Sequence, residues 1–327
     1  MINELHLMDN QKGIAKLADK SVNLIIADPP YYKIKGDFDF EFKDFQEYLN
    51  FMEEQAKLYK RVLADNGSLF VYGHAKNIAY VQVIFDKYFK LENSLVWEKE
   101  DCQTNIGASG FRSFTPITER ILFYSNEKKE NKCAIIHKDL FSSLISKINE
   151  TAKIEDFIKC LMDLGIASNL NSAKVLATYK LGKHATRYDF LSEDMYNYIG
   201  NFNYTYEELR KEYEELRRTF NNTKKLTDVM RYSQETYLSR QFDHDTIKPE
   251  KLTLDLIETT TKENDLVLIP FGGSGTECVC CMRLKRQWIA FENKKKYFDI
   301  ASKRILSEYE KTSLFNSLGG RQVKLSA

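Results

Sequence analysis

The run Val22-Asn23-Leu24-Ile25-Ile26-Ala27 is apolar at every position but one and is followed at once by Asp28-Pro29-Pro30-Tyr31. A segment of that length, apolar on both faces, predicts a strand buried inside a sheet that is covered on both sides. Helical spacing comes next over 45–63, where Leu49, Met52, Ala56, Tyr59 and Leu63 recur three or four residues apart. Asn66-Gly67 predicts a turn, 68–72 a second strand, 77–88 a helix, 94–97 a third strand and 120–124 a fourth. This alternation implies an α/β fold, a mostly parallel Rossmann-like sheet with helices on both faces.

The same rhythm returns after residue 244. A helix enters at Pro249, where the missing amide costs nothing. A strand over 266–270 then runs into Phe271-Gly272-Gly273-Ser274-Gly275-Thr276, a helix continues through Arg283, a strand over 288–291 ends at Glu292, and a charged helix covers 294–310. Between the blocks the chain is helical in pattern, highly charged, and rich in Tyr and Asn. The expected organisation is therefore 1–125 and 242–327 as two halves of one α/β domain, with 126–241 as a mostly helical insert. Within the insert Tyr206, Leu209, Tyr213, Leu216 and Phe220 share a helix face, and Glu207/Lys211 and Glu214/Arg218 are spaced as i,i+4 charge pairs. Such a helix packs on its own domain, or else presents Arg210, Lys211, Arg217, Arg218, Lys224 and Lys225 to phosphates; acids mixed among these bases weaken the second reading.

Composition limits what else the chain can be. Its 327 residues carry 48 Lys and Arg against 47 Asp and Glu, so any positive groove must come from local sorting of charge rather than overall excess. No stretch approaches a membrane span, and Met1 to Asp9 lacks the signature of a secretory signal, so the expected location is cytoplasmic. Six cysteines and five histidines form no metal-ligand spacing. Cys278, Cys280 and Cys281 read as reduced thiols buried in a helix.

Two segments carry chemistry. A glycine turn that follows a strand and opens a helix lets backbone amides approach a ligand, and an acid at the end of the next strand, here Glu292, can accept both hydroxyls of a ribose. The Asp28 segment suits a different task. An exocyclic base amine is a poor nucleophile because its lone pair is delocalised into the ring, and it must be held as it pyramidalises. Asp28 and the Pro29 carbonyl can accept its two protons, Pro29 and Pro30 stiffen the backbone, and Tyr31 offers a stacking face worth about 1–3 kcal/mol against the few kcal/mol of base extrusion.

Taken together these residues resemble the amino-directed DNA methyltransferases of the β order, in which the catalytic motif comes first, the recognition domain lies in the middle and the cofactor motif comes last. The likeness covers both outer blocks. It includes His244-Asp245-Thr246-Ile247-Lys248-Pro249 as the family's His-x-Thr-x-Lys-Pro motif, and Trp288 to Glu292 followed by Tyr297 and Lys303-Arg304 as its closing pattern. The resemblance implies S-adenosylmethionine as methyl donor and double-stranded DNA as substrate. A homodimer and a cognate restriction endonuclease are candidate further partners.

Carried over by position, Phe271, Gly272, Gly273, Ser274 and Gly275 would wrap the methionine moiety, with Thr246 and Lys248 near its carboxylate, Glu292 on the ribose and Asp9 on the adenine of the cofactor. Asp28, Pro29, Pro30 and Tyr31 would hold the flipped base beside the sulfonium methyl. Trp97, Lys99 and Glu119 would flank the target pocket, with 104–113 as its mobile part. For Asp9 and Glu119 an ordinary surface acid is the competing reading, and for Trp97 a core aromatic.

One position departs from the family. An aspartate is expected two residues before Phe271 and Ile269 stands there; Asp265 is a candidate substitute. Among related chemistries, a cytosine C5 enzyme needs a cysteine nucleophile, usually after proline, and no cysteine here follows one. Glutamine and ribosomal RNA methyltransferases of similar fold carry Asn in place of Asp28. Enzymes acting on the cytosine N(4) amine usually carry Ser, so adenine N(6) is the expected target and cytosine N(4) the alternative. A non-catalytic methylase-like subunit is the third reading; a nicotinamide oxidoreductase is disfavoured, because it predicts a Gly-x-Gly-x-x-Gly turn near the N-terminus and Phe271 to Thr276, followed by Glu277 and Cys278, does not supply it.

Overall fold

The computed structural model describes residues 2–34, 39, 41–101, 114, 116–126, 154–180, 193–199, 207, 219–235, 247–315 and 324–326. The chain forms two compact units, Met1–Asn126 with Arg218–Ala327, and Glu127–Arg217.

The first unit is built on a nine-stranded sheet in the order β6-β4-β5-β3-β2-β7-β8-β1-β9. In chain order the strands are β1 (Glu4–Leu7), β2 (Val22–Ala27), β3 (Leu63–Gly73), β4 (Lys90–Lys99), β5 (Thr118–Ser125), β6 (Val229–Tyr232), β7 (Leu266–Ile269), β8 (Gln287–Glu292) and β9 (Lys324–Ser326). All neighbours are parallel except the pairs that β5 makes with β3 and β4. The sheet is thus α/β and mostly parallel, with one reversed strand.

Period-two alternation divides its side chains between two cores. Leu24 and Ile26 face one side with Phe70, Tyr72, Val267 and Ile269, under the helices α7 (Glu250–Thr260), α8 (Thr276–Arg283) and α9 (Lys295–Phe315). Ile25 and Ala27 face the other side with Leu69, Val71 and Leu268, under α1 (Asn10–Ile14), α2 (Phe45–Val62) and α3 (Ile78–Phe85). Met52, Ala56 and Tyr59 of the predicted stripe are buried on α2, but Tyr48 and Val62 complete it, because Leu49 is only half-buried and Leu63 is buried as the first residue of β3. Asp44 caps this helix by accepting from the Glu47 amide, and the Glu47 carboxylate accepts in return from the Lys43 amide.

Asn66-Gly67 differs from expectation. Instead of a free turn it lies within β3, where the register against β2 slips between Val22 and Leu24, so the two residues form an irregularity that keeps pairing on both sides. The main sheet also claims residues placed in the insert by composition. Val229–Tyr232 pairs with β4, because its alternating burial suits a sheet edge despite its polar surroundings. Phe220 stacks on Phe123 of β5 at 5.9 Å.

The second unit contains α4 (Ile154–Asp163), α5 (Leu170–Lys180) and α6 (Glu193–Ile199) among its described residues. Phe157, Cys160 and Leu161, at i, i+3 and i+4, are fully buried, as are Ala173 and Ala177 of α5, so these helices share a small core. The expected helix around 206–220 falls almost wholly outside the described residues, as do Arg210, Lys211, Arg217 and Arg218. No helix among the described residues is long and apolar enough to cross a membrane.

Candidate functional site

Strands β2 and β7 lie side by side and parallel, with Leu24 opposite Val267 and Ile25 opposite Leu268. Segments about 240 residues apart in sequence therefore leave the sheet at the same edge, the end at which open α/β sheets bind ligands. The neighbouring strands β8 and β1 deliver Glu292 and Asp9 to that edge. A cavity of about 370 Å³ opens there, and its lining includes Asp9, Asp28, Pro29, Pro30, Tyr31, Lys248, Phe271, Gly273 and Glu292. Gly272, Ser274 and Gly275 build the turn without lining the cavity. Thr246, His244 and 104–113 lie outside the described residues, as do Arg217 and Arg218.

The glycine turn has the shape its sequence demands. The Gly272 amide donates to the Phe291 carbonyl at 2.7 Å, and a Cβ on Gly272 would stand 3.3 Å from that same oxygen. Gly273 and Gly275 have φ of +48° and +75°, a region that disfavours residues with side chains. Glu292 holds the turn from β8, accepting from the Gly273 amide on Oε2 and the Lys294 amide on Oε1, both at 2.8 Å. Burial raises its carboxyl above the ordinary range. The Asn293 amide also bonds to this carboxylate, and with about four acceptor sites Glu292 still has room for a further donor such as a sugar hydroxyl.

Ile269 is fully buried in the apolar core beneath the turn. Asp265 does not replace the expected acid. It accepts from the Lys262 amide at the opposite end of β7, with the whole of that strand, roughly 13 Å, between it and the turn. Other carboxylates do reach the cavity: Asp9, Asp28, Asp39, Glu41, Glu47 and Glu292 line it, against the two ammonium groups of Lys248 and Lys294. The lining is negative on balance and suits a cationic ligand. Asp9 also caps α1 by accepting from the Lys12 amide.

Beside the turn, Asp28 sits in a network of charges. Tyr31 donates its hydroxyl to Asp28 Oδ1 at 2.6 Å, and Lys248 Nζ lies 3.0 Å from Oδ2. Lys248 also reaches Glu119 Oε2 at 3.1 Å and the Tyr31 hydroxyl at 3.0 Å, and Lys99 closes the group at 2.8 Å from Glu119 Oε1. Two carboxylates and two ammonium groups leave the cluster neutral. Burial raises Asp28, with Lys248 and Tyr31 opposing it. Burial also acts to raise Glu119, but Lys248 and Lys99 outweigh it and hold that carboxyl at about 2. For Lys248 the depressing effect of burial is more than reversed by Asp28 and Glu119.

Lys248 thus grips Asp28 and Tyr31, a contact that the position of a lysine before a helix-opening proline does not reveal. The loop after Tyr31 was equally silent in sequence. There Tyr32 and Lys33 adopt positive φ, Asp39 accepts from the Tyr31 amide, and Phe42 with Phe51 of α2 forms an aromatic wall of the cavity. Trp97 is a core aromatic whose Nε1 donates to the Tyr232 carbonyl at 2.9 Å. Lys224, a candidate phosphate contact, is instead paired with Asp255 and Glu258 at 2.6 Å each.

Glu277, in the first turn of α8, is a buried acid that the motifs did not single out. Burial pushes its carboxyl from the ordinary 4.5 up to about 7, with Asp28 adding to the rise. The folded state therefore holds this proton more tightly than the unfolded chain. The resulting stability is full below the ordinary carboxylate value and is lost as pH rises through about 7. Glu277→Gln is expected to raise stability at pH 8 by up to about 3 kcal/mol and to flatten its pH dependence, measured by denaturant unfolding at pH 5 and pH 8.

Known proteins resemble this chain in sequence and in fold. The family model for N6 and N4 methyltransferases, described as DNA methylase, matches residues 22–303. The type II methyltransferase M2.LlaDCHI of Lactococcus lactis subsp. cremoris is 27% identical over 316 residues, covering 91% of this chain and 87% of its own. Among solved structures, the Thermus thermophilus protein TTHA0409 complexed with S-adenosyl-L-methionine superposes with a TM-score of 0.53 at 16% identity, over 99% of this chain and 97% of its own. The cytosine-N4-specific PvuII DNA methyltransferase does so with a TM-score of 0.53 at 16% identity, over 98% and 94%. With the family match running from the first residue of β2 to the middle of α9, across both motif-bearing strands, the chain belongs to the DNA methylase family of N6 and N4 methyltransferases.

Proposed function

We propose that the protein transfers a methyl group from S-adenosylmethionine to the N(6) amine of adenine in double-stranded DNA, with the target base turned out of the helix. The observation that carries this is the adjacency of β2 and β7, which brings Asp28-Pro29-Pro30-Tyr31 and the glycine turn to one cavity. The residues present fit the cofactor. About 370 Å³ lies within the range of small-molecule sites, the lining is negative on balance as a net cation requires, and Glu292 has room for a further donor from a ribose. Phe271 and Gly273 hold its methionine part, with Gly272 and Ser274 shaping the turn behind them, Glu292 holds its ribose and Asp9 its adenine.

When bound, the cofactor supplies a methyl group on a cationic sulfur. The protein's part is placement. Asp28 retains acceptor capacity beside the bonds from Tyr31 and Lys248, so it can take one amine proton while the Pro29 carbonyl takes the other. Held this way the amine lone pair would be free to attack the methyl carbon. A new N–C bond would form as the C–S bond broke with its electrons left on sulfur, and Asp28, as the acceptor holding the amine, would take the proton it sheds. Glu119, Lys99 and Lys248 together carry one positive charge, which Asp28 balances, so a positive charge growing on nitrogen meets the Asp28 carboxylate in a cluster that is neutral as a whole.

Asp28, where cytosine-directed members of the resembled group carry Ser, favours adenine. The fold shared with the PvuII enzyme keeps cytosine N(4) as the second reading. Target-sequence readout falls to the unit Glu127–Arg217 and its flanks, and kinship with a type II methyltransferase supports a cognate restriction endonuclease as partner. Sequencing DNA from a methylation-free host that expresses the protein, with detection of modified bases, reports base and site together. Methylated adenine at one short motif is expected, and unmodified DNA would refute the proposal.

A further inference from the structure

The guanidinium of Arg304, on α9, lies almost fully buried against the back of the glycine turn at 5% exposure. Its Nη1 donates to the Ser274 carbonyl and hydroxyl, both at 3.0 Å, and to Thr276 Oγ1 at 2.9 Å. Its Nη2 donates to Glu250 Oε1 at 2.9 Å. Ser274 is flanked by the two glycines of positive φ, so it sits in the part of the turn with the widest backbone freedom. A turn of that kind, left unsupported, loses conformational entropy each time it closes on a ligand. Arg304 meets both the backbone and the side chain of Ser274 and bridges them to Thr276, the first residue of α8. The Ser274 and Thr276 hydroxyls also meet directly at 3.0 Å, and Glu292 engages Gly273 from β8; what Arg304 adds is a hold on the Ser274 carbonyl from a separate helix.

The anchor behind Arg304 is itself fixed. Glu250, which opens α7, shares its second oxygen with Arg283 Nη1 at 2.7 Å, and Arg283 makes a two-point pair with Glu308 at 2.7 and 3.0 Å. Two arginines and two glutamates balance one another, so the cost of burying Arg304 is offset without using the carboxylates of the cavity. The planar fork is what this geometry requires. A lysine could keep the charge near Glu250 but could not reach Ser274 and Thr276 at the same time.

We propose that Arg304 is a positioning residue that holds the glycine turn in its ligand-ready form, touching neither the cofactor nor the base. This rests on the reading of the turn as the cradle for S-adenosylmethionine. A purely structural arginine would alter melting alone, whereas a positioning one alters the affinity of the turn for its ligand in protein that is still folded.

The test is titration calorimetry of S-adenosylmethionine into wild type, Arg304→Gln and Arg304→Lys, with steady-state kinetics on duplex DNA. Both variants are expected to raise Kd and KM for S-adenosylmethionine by about 10- to 100-fold, with kcat at saturation lowered by less than about threefold. If Arg304→Gln does not fold, Arg304→Lys decides in the same way, since it retains a charge for Glu250. Wild-type affinity in a folded variant, with only the melting temperature lowered, would overturn the role of Arg304 and leave the cradle intact. Wild-type protein that binds no S-adenosylmethionine would overturn both.

Discussion

Replacing Asp28 with alanine is expected to lower kcat for methyl transfer by at least about 10³-fold, with duplex DNA affinity changed by less than about threefold. The two effects separate because they depend on different parts of the molecule. Affinity for duplex DNA comes mainly from phosphate contacts, whereas Asp28 sits at the inner edge of the cavity with its oxygens on Tyr31 and Lys248. On the proposed mechanism, what the substitution removes is the acceptor that localises the amine lone pair and takes its proton. The wild-type pH profile should carry the same signature. Burial raises the Asp28 carboxyl, so activity is present above that raised value and falls as pH drops through it, an acid limb above the ordinary aspartate range. Glu119, held at about 2, stays charged throughout and adds no limb of its own. Near-normal turnover in Asp28→Ala, measured with labelled methyl donor, would remove Asp28 from the chemistry.

The second large effect concerns Lys248. Lys248→Met is expected to destabilise the protein by about 3–5 kcal/mol, which for a domain of this size is a fall in Tm of roughly 6–10 °C. The side chain is 5% exposed and touches two carboxylates and a phenol. Without it Asp28 and Glu119 face each other with only Lys99 to balance them, an unpaired negative charge in a buried place. The cluster then holds a proton more tightly when folded than when unfolded. Stability of the variant should therefore recover as pH is lowered, opposite to acid loss of a salt bridge. Adding Asp28→Asn to Lys248→Met leaves the neutral pair Glu119–Lys99 and is expected to restore most of the lost Tm without restoring activity. Calorimetric melting of the single and double variants at pH 5 and pH 8 checks both statements. A Lys248→Met protein that melts like wild type at pH 8 would show that the cluster does not need this ammonium.

Parts of the site were legible in the sequence because their signals are local. Val22–Ala27 is recognisable by apolar continuity, the α2 stripe by its spacing, the turn by its glycines after a strand, and Glu292 by its place at the end of the next strand. Other parts depend on long-range pairing, which local pattern does not encode. Nothing near Val22 indicates that its strand neighbours Leu266–Ile269, and the reversed direction of β5 is equally invisible in its residues. Strand β1 escaped because it is four residues long and two of them, Glu4 and His6, are polar. The grip of Lys248 on Asp28 and of Arg304 on Ser274 arises from helices α7 and α9 closing over one face of the sheet. Each side chain crosses from one element to another far away in sequence. Ile269 is intelligible only in the folded chain, where it fills the apolar core while the carboxylates around the cavity come from six other positions.

Whether the two motifs joined by the β2–β7 pairing form one methyl-transfer site acting on adenine is decided by chemical identification of the product. The protein is incubated with unmethylated genomic DNA and S-adenosylmethionine carrying a labelled methyl group, and the DNA is digested to nucleosides and separated with mass detection. Label is expected in N(6)-methyladenine alone. Label in N(4)-methylcytosine, or DNA that stays unlabelled while the protein binds both ligands, would contradict a single adenine-directed site.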